Sequence, residues 1–211
     1  ISEIDAVVVT HSHLDHSGLI PYLFKYGYKG PVYCTLPTRD VMSLLQLDMI
    51  KIQRNEGKEP IYSSEEVRNT VLHTVCVDYD EVTDITPDVR LTFYNAGHIL
   101  GSSLVHLNIG NGLHNVVFTG DLKYGRTNVL EAANTQFPRV ETLIMESTYG
   151  GRDNIMNEQE ADDYMIDVIK KTFERGGKAL MPVLGSGRAQ EVMIIIERVM
   201  REKKIPNGPV Y

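Results

Sequence analysis

Three of the chain's seven histidines fall within six residues, His11-Ser12-His13-Leu14-Asp15-His16. Imidazole and carboxylate together are zinc ligands, bonding at about 2.0–2.2 Å. The spacing lets side chains diverge from one loop toward two points a few ångströms apart. A histidine-rich polar turn is the plainer account, and three histidines with an aspartate in so short a stretch argue against it. Two later segments carry similar chemistry: Ala96-Gly97-His98-Ile99-Leu100-Gly101-Ser102 and Phe118-Thr119-Gly120-Asp121. Glycines beside His98 and Asp121 permit sharp turns and leave room for a ligand to approach. Alone, His98 reads as a hydrogen-bonded structural histidine and Asp121 as a turn former. Their weight comes from following the cluster in one chain.

Each of these segments must sit at the end of a strand. Ile4 to Val9 is a β-branched run suited to a buried strand, and it ends at the histidine cluster. Arg90–Asn95 alternates and ends before Gly97. Leu104–Ile109 and His114–Thr119 alternate on either side of Asn111-Gly112, a hairpin signal, and the second run ends at Asp121. Thr142–Met145 predicts one more buried strand. Helical spacing appears from Gly18 to Tyr26, with Leu19, Tyr22, Leu23 and Tyr26 on one side. A long helix opens at Pro37 and stops at Gly57, with Val41, Leu44, Leu45, Asp48 and Ile52 on one face. Ser63 and Glu66 form a capping-box pattern ahead of Val67, Val71 and Val75. Pro31–Thr35 predicts a further strand.

From Asn157 the pattern is helix to Arg175, strand at Lys178–Val183, helix at Arg188–Lys203, then strand, which indicates βαβ units. The change of character places a domain boundary near Gly150-Gly151. Ile1 is not a start methionine, and both ends look cut, so the chain reads as a piece of a longer protein.

The 211 residues carry a net charge of −7, which argues against nucleic-acid binding through a broad basic surface. It leaves room for a nuclease whose metal ions supply the local positive charge. No run approaches the ~18 apolar residues of a membrane span. Two cysteines, Cys34 and Cys76, are too few for a disulfide framework and read as free, packing thiols in a reducing cytosol.

His-x-His-x-Asp-His, then Gly-His, then Thr-Gly-Asp resembles the metallo-β-lactamase superfamily in order and strand-end placement. Leu143-Ile144-Met145-Glu146-Ser147-Thr148-Tyr149-Gly150 resembles the acidic motif that closes this part of β-CASP nucleases. Pro182-Val183-Leu184-Gly185-Ser186-Gly187-Arg188-Ala189-Gln190-Glu191 is similar to the opening of their inserted domain. The likeness is strongest to archaeal relatives of the nuclease subunit of the cleavage and polyadenylation specificity factor.

The resemblance implies an α/β fold: a metallo-β-lactamase αββα sandwich over 1–150, incomplete at its N-terminus, and the start of a β-CASP domain over 151–211. It implies two zinc ions, one held by His11, His13 and His98, the other by Asp15 and His16, with Asp121 bridging. Asp15 and Glu146 are the implied catalytic residues. Glu146 does not touch metal and orients a general-acid histidine. That histidine, and one completing the second zinc, are expected beyond Tyr211, because no histidine follows His114. The second site is therefore incomplete in this chain, and the chain alone is expected to be weak or inactive.

The implied activity is hydrolysis of RNA in mRNA 3′-end processing or decay. It would be cytoplasmic, away from membranes, and carried out as a homodimer or within an RNA-processing complex. A catalytically dead scaffold subunit and a DNA-processing β-CASP nuclease are the alternatives. Retention of all six ligands argues against the first, and glutamate in place of aspartate at Glu146 against the second. Gly185-Ser186-Gly187-Arg188 could hold a phosphate, although an ordinary glycine turn accounts for it. Arg126, Arg188 and Tyr149 could contact RNA, and His73, His106 and His114 read as structural.

Overall fold

A computed structural model describes residues 1–153 and 156–211. The chain divides into two compact units, Ile1–Arg126 with Leu130–Glu146 (unit 1) and Thr127–Val129 with Ser147–Tyr211 (unit 2).

Unit 1 begins with β1 (Val7–Val8), the one-turn helix α1 (Leu14–Ser17), α2 (Ile20–Lys25), β2 (Val32–Cys34), α3 (Leu36–Asn55), α4 (Ser64–Leu72) and β3 (Thr74–Cys76). It continues with β4 (Val82–Thr86), β5 (Val89–Asn95), β6 (Ser103–Ile109), β7 (His114–Phe118) and β8 (Thr142–Ile144). Strands β1-β2-β3 form a parallel sheet. Strands β4 to β8 form a second sheet in sequence order, antiparallel except for β7–β8. The two sheets pack through Ala6, Val8 and Tyr33 on one side and Leu91, Phe93 and Val105 on the other. The opposite face of the first sheet is covered by Ile20, Leu23 and Phe24 of α2 and Met42 of α3. The result is a helix layer, a sheet and a second sheet. Leu91 and Phe93 are fully buried, each contributing about 1.5–3 kcal/mol of apolar burial.

Local signals shape these elements: the capping box of α4 and the Asn-Gly hairpin as expected, the Thr35 cap unforeseen. Thr35 caps α3 by accepting from the Thr38 amide. Ser63 and Glu66 complete the capping box of α4. The hairpin between β6 and β7 turns through Asn111 (φ 54°) and Gly112 (φ 95°).

The buried faces of the helices differ from the apolar periodicity. On α3 the buried residues are Thr38, Met42, Gln46 and Ile50, whereas Leu44 and Ile52 are exposed. Polar Thr38 and Gln46 are inside because they serve backbone carbonyls of neighbouring loops. On α2, Ile20 and Pro21 are buried while Leu19 and Tyr26 are exposed. Val75 belongs to β3 rather than to α4. Strands β3 and β4, unforeseen in the sequence, are held by their pairing with β2 and β5. The run Thr142–Met145, expected to be buried, forms the edge strand β8, with Leu143, Ile144 and Met145 about half exposed. Cys34 is buried and Cys76 exposed, both as free thiols.

Unit 2 contains α5 (Glu158–Glu174), capped by Asn157 with Glu160, and α6 (Arg188–Arg201). Ile169, Ile196, Val199 and Ile205 form its core. Residues 178–183, expected as a strand, are unpaired. Their alternation is real, with Ala179 and Met181 against the core and Leu180 out in solvent. A strand also needs a neighbour to accept its backbone bonds, and among the described residues of unit 2 none runs beside it. No described helix is long and apolar enough to cross a membrane.

Candidate metal centre

The first loop leaves β1 through Val9, whose amide donates to the Tyr33 carbonyl, and reaches Thr10 and His11. His11 and Ser12 are fully buried. His13 stands at the N-cap of α1, which carries Asp15 and His16, so the expected turn is in part a helix. Ser17 Oγ donates to the Ser12 carbonyl (2.8 Å), and Gln46 Nε2 of α3 donates to the Ser17 carbonyl (2.9 Å). The fully buried Gln46 thus satisfies a helix-end carbonyl that would otherwise lack a partner.

The second loop runs from β5 to β6. Gly97 has φ 66°, and a Cβ there would stand 2.7 Å from the Glu131 carbonyl oxygen and 2.8 Å from that of Lys123. Only glycine fits. The Ser102 hydroxyl accepts from the amides of His98 and Ile99, both at 3.1 Å. Ser103 donates to the Thr10 carbonyl through its amide (2.8 Å) and its hydroxyl (2.9 Å).

The third loop follows β7. Gly120 has φ 52°, and a Cβ there would lie 2.6 Å from Thr10 Cβ. The Leu122 amide donates to Glu146 Oε1 (3.1 Å), and the Glu146 amide donates to Thr119 Oγ1 (3.1 Å). Thr10 is therefore where three strand ends meet, touching the second through Ser103 and the third through Gly120.

On this joint the side chains converge. Ligand atoms of His11, His13, His98 and Asp121 all lie within 4.8 Å of one another. His98 Nε2 is 3.2 Å from His13 Nδ1 and 3.6 Å from Asp121 Oδ2, which lies 3.8 Å from His11 Nε2. Ligands of a tetrahedral zinc bonded at about 2.0–2.1 Å are roughly 3.3–3.4 Å apart, close to these three separations, and the wider pairs of the group would draw in on the ion. His16 Nε2 approaches the other oxygen, Asp121 Oδ1 (3.5 Å), and Asp15 Oδ2 (3.4 Å). Asp121 thus presents one oxygen to His11 and His98 and the other to His16. Of the six expected ligands, four form a compact group, His16 adjoins it, and Asp15 reaches His16 with a largely exposed carboxylate.

The donor set fits a metal. His11 Nε2 is buried and has no hydrogen-bond partner, an arrangement that costs about 1–3 kcal/mol unless something occupies the position. Thr10 Oγ1 lies 3.1 Å from His11 Nδ1, which leaves Nε2 for the cluster. Burial, and then the proximity of His16, His98 and His13, lowers the His11 pKa to about 2. Burial and His13 also lower that of His98, against the opposing pull of Asp121 and Glu146. Both rings are thereby kept in the neutral form that binds metal.

Glu146 stands outside the four-residue group and holds the third loop through Leu122. Sequence reasoning missed Thr10, Thr35, Thr38, Gln46, Tyr79, Ser102 and Ser103. Polar residues beside the motifs, Thr10 before His11 and Ser102-Ser103 after Gly101, were the available signal. His106 and His114 make structural bonds, to the Arg139 carbonyl and Thr142 Oγ1. The exposed His73 ring bonds the Asn69 carbonyl. Arg126 pairs with Glu131 on the surface. In unit 2, Gly187 caps α6, and the exposed Tyr149 ring lies under the Arg152 guanidinium.

Residues 1–148 match the family described as the metallo-beta-lactamase superfamily domain. The chain is 56% identical over its full length to the transcription termination factor FttA of Methanosarcina mazei. Identity to the FttA of Pyrococcus abyssi is 54% over 99% of the chain, and to that of Lokiarchaeum sp. 51% over its full length. The chain spans about a third of the length of these relatives: 33%, 32% and 33%.

Proposed function

Because the chain belongs to the metallo-β-lactamase superfamily, we propose that within a full-length protein it forms the metal-bearing part of a zinc-dependent ribonuclease of the β-CASP group. The observation that carries this reading is Asp121, whose Oδ2 faces His11 and His98 while its Oδ1 faces His16. His11, His13 and His98 would hold one zinc, Asp15 and His16 a second, and Asp121 would serve both. Zinc ions held there would supply Lewis acidity toward a phosphodiester and lower the pKa of a water molecule.

The chain's own residues provide the rest. Buried His11 and the Thr10 joint fix the first ligand set before substrate arrives. Asp15 has a largely exposed carboxylate, which suits the catalytic role expected of it. Glu146 anchors the loop that carries Asp121, its charge acts on His98, and in this reading it would orient a general-acid histidine supplied by the rest of the protein. In this reading residues 1–150 form the metallo-β-lactamase domain and residues 151–211 open the β-CASP domain.

RNA is the substrate class favoured here, because the relatives are named as transcription termination factors, an activity compatible with cutting transcripts. A net charge of −7 leaves phosphate recognition to the metal ions and a few cations rather than to a basic face. The test is the Asp121→Ala variant of the full-length protein, assayed on end-labelled RNA and for bound zinc. Cleavage should be lost and zinc content should fall. Undiminished cleavage refutes the assignment.

A further inference from the structure

The loop that carries His98 contains Gly97 (φ 66°) and Gly101 (φ 81°), residues whose conformational freedom must be removed before the imidazole can sit in a ligand set. Two consecutive carbonyls of this loop are each met by two donors. The Gly101 carbonyl lies 2.7 Å from Thr35 Oγ1 and 2.9 Å from Thr38 Oγ1. The Ser102 carbonyl accepts from the Tyr79 hydroxyl (2.8 Å) and the Ala96 amide (3.0 Å). The side-chain donors come from distant segments: the start of α3, and the link between β3 and β4.

Their siting is costly unless it serves the loop. Thr38 is fully buried and Thr35 nearly so, and a buried hydroxyl without a partner destabilises a fold. The approach is close, since a Cβ on Gly101 would lie 2.8 Å from Thr35 Oγ1. The grip also passes to the histidine itself: Ser102, held at its carbonyl by Tyr79, accepts from the His98 amide with its hydroxyl. Burial pushes the Tyr79 phenol up to about 12, so it stays a donor throughout the working pH range.

We propose that Tyr79 and Thr38 are positioning residues for metal binding: they lock the Gly97–Ser102 loop so that His98 is already in place when the ion arrives. This rests on the metal-centre reading above. Groups bonded directly to a metal ligand alter affinity by about 10–100-fold, so Tyr79 and Thr38, which act through Ser102 and Gly101, should sit at the tenfold end. Thr35 belongs to the same clamp but also caps α3, so its loss would mix two effects.

The test is titration of the metal-free full-length protein with Co2+, read by the visible absorption of the bound ion. Tyr79→Phe and Thr38→Val should each weaken Co2+ binding by about tenfold, and Thr38→Ser, which keeps the hydroxyl, should bind like the wild type. Hydrogen exchange of the metal-free variants should show faster exchange at the His98 amide while the β5–β6 ladder stays protected. Unchanged affinity in Tyr79→Phe and Thr38→Val overturns the proposal. So does a Thr38→Ser variant as weak as Thr38→Val, since methyl packing would then hold the loop. If Asp121→Ala binds Co2+ as tightly as the wild type, the metal-centre reading itself fails. Weakening confined to Asp121→Ala leaves that reading standing and removes only the clamp.

Discussion

Unit 1 keeps Thr10, Ser12, Thr38, Gln46, Ser102 and Ser103 out of water, all of them around its three ligand-bearing loops. Unit 2 has Ile169, Ile195, Ile196, Val199 and Ile205 inside, and its only buried polar residues among those described are Thr172 and Glu191. Hydrocarbon cores tolerate exchange of one apolar residue for another of similar volume. Hydrogen bonds between buried polar groups fix one arrangement, although Ser12 Oγ and Gln46 Oε1 in this set make no bond among the described residues. The contrast separates a part of the molecule built to hold side chains at given points from a part whose helices need only pack.

The sharpest way to break this contrast is to place a methyl group at one glycine in each unit. Gly120→Ala must adopt φ 52° with its Cβ 2.6 Å from Thr10 Cβ, so strain and overpacking together should cost about 2–5 kcal/mol. Gly176→Ala, at φ 70° with nothing within 4 Å, should cost about 1–2 kcal/mol. Urea denaturation gives both numbers, and equal losses would mean that the Thr10 joint is not tight. A smaller effect is expected from Gln46→Leu in unit 1, which strands the Ser17 carbonyl and should cost about 1–3 kcal/mol. Its counterpart Ile196→Val removes one methyl from unit 2 and should cost about 0.5–1.5 kcal/mol. A neutral Gln46→Leu would show that hydrocarbon serves as well there as an amide bonded through Nε2 alone.

Acid provides the gentlest comparison. Metal-free His11, held at about 2 in the fold against 6.5 for the free side chain, takes up a proton only on unfolding between those values. Unit 1 should therefore lose stability as pH falls below 6.5. In unit 2 burial pushes the Glu191 carboxyl up, but bonds from Asn128, Thr127 and Val129 outweigh it and hold the carboxyl below 4.5. Its stabilising contribution is complete above pH 4.5 and fades only as pH drops through the lowered value. Hydrogen exchange stepped from pH 7 to pH 5 should loosen the first loops of unit 1 while α5 and α6 stay protected. Simultaneous loosening of both units would erase the distinction.

The same division explains what could be read from residue order. The motif loops were legible because their chemistry is local: a histidine cluster, a Gly-His pair and a Thr-Gly-Asp turn at strand ends. The capping box of α4, the start of α5 at Asn157 and the Asn-Gly hairpin were legible for the same reason. The buried faces of α2 and α3 were not, because Thr38 and Gln46 are inside to serve Gly101 and Ser17, partners that periodicity cannot see. Residues 178–183 alternate as a strand does, yet pairing is a property of two segments, and one segment cannot reveal it. The Tyr79 and Thr35 contacts to the His98 loop span 23 and 66 residues and were invisible for that reason.

Zinc-edge anomalous scattering from crystals of the zinc-loaded full-length protein tests the central claim most directly. Two peaks should flank Asp121, each about 2.0–2.2 Å from one of its oxygens, with His11, His13 and His98 around the first and Asp15 and His16 around the second. Zinc bound elsewhere, or no peak within bonding distance of Asp121, would contradict the account.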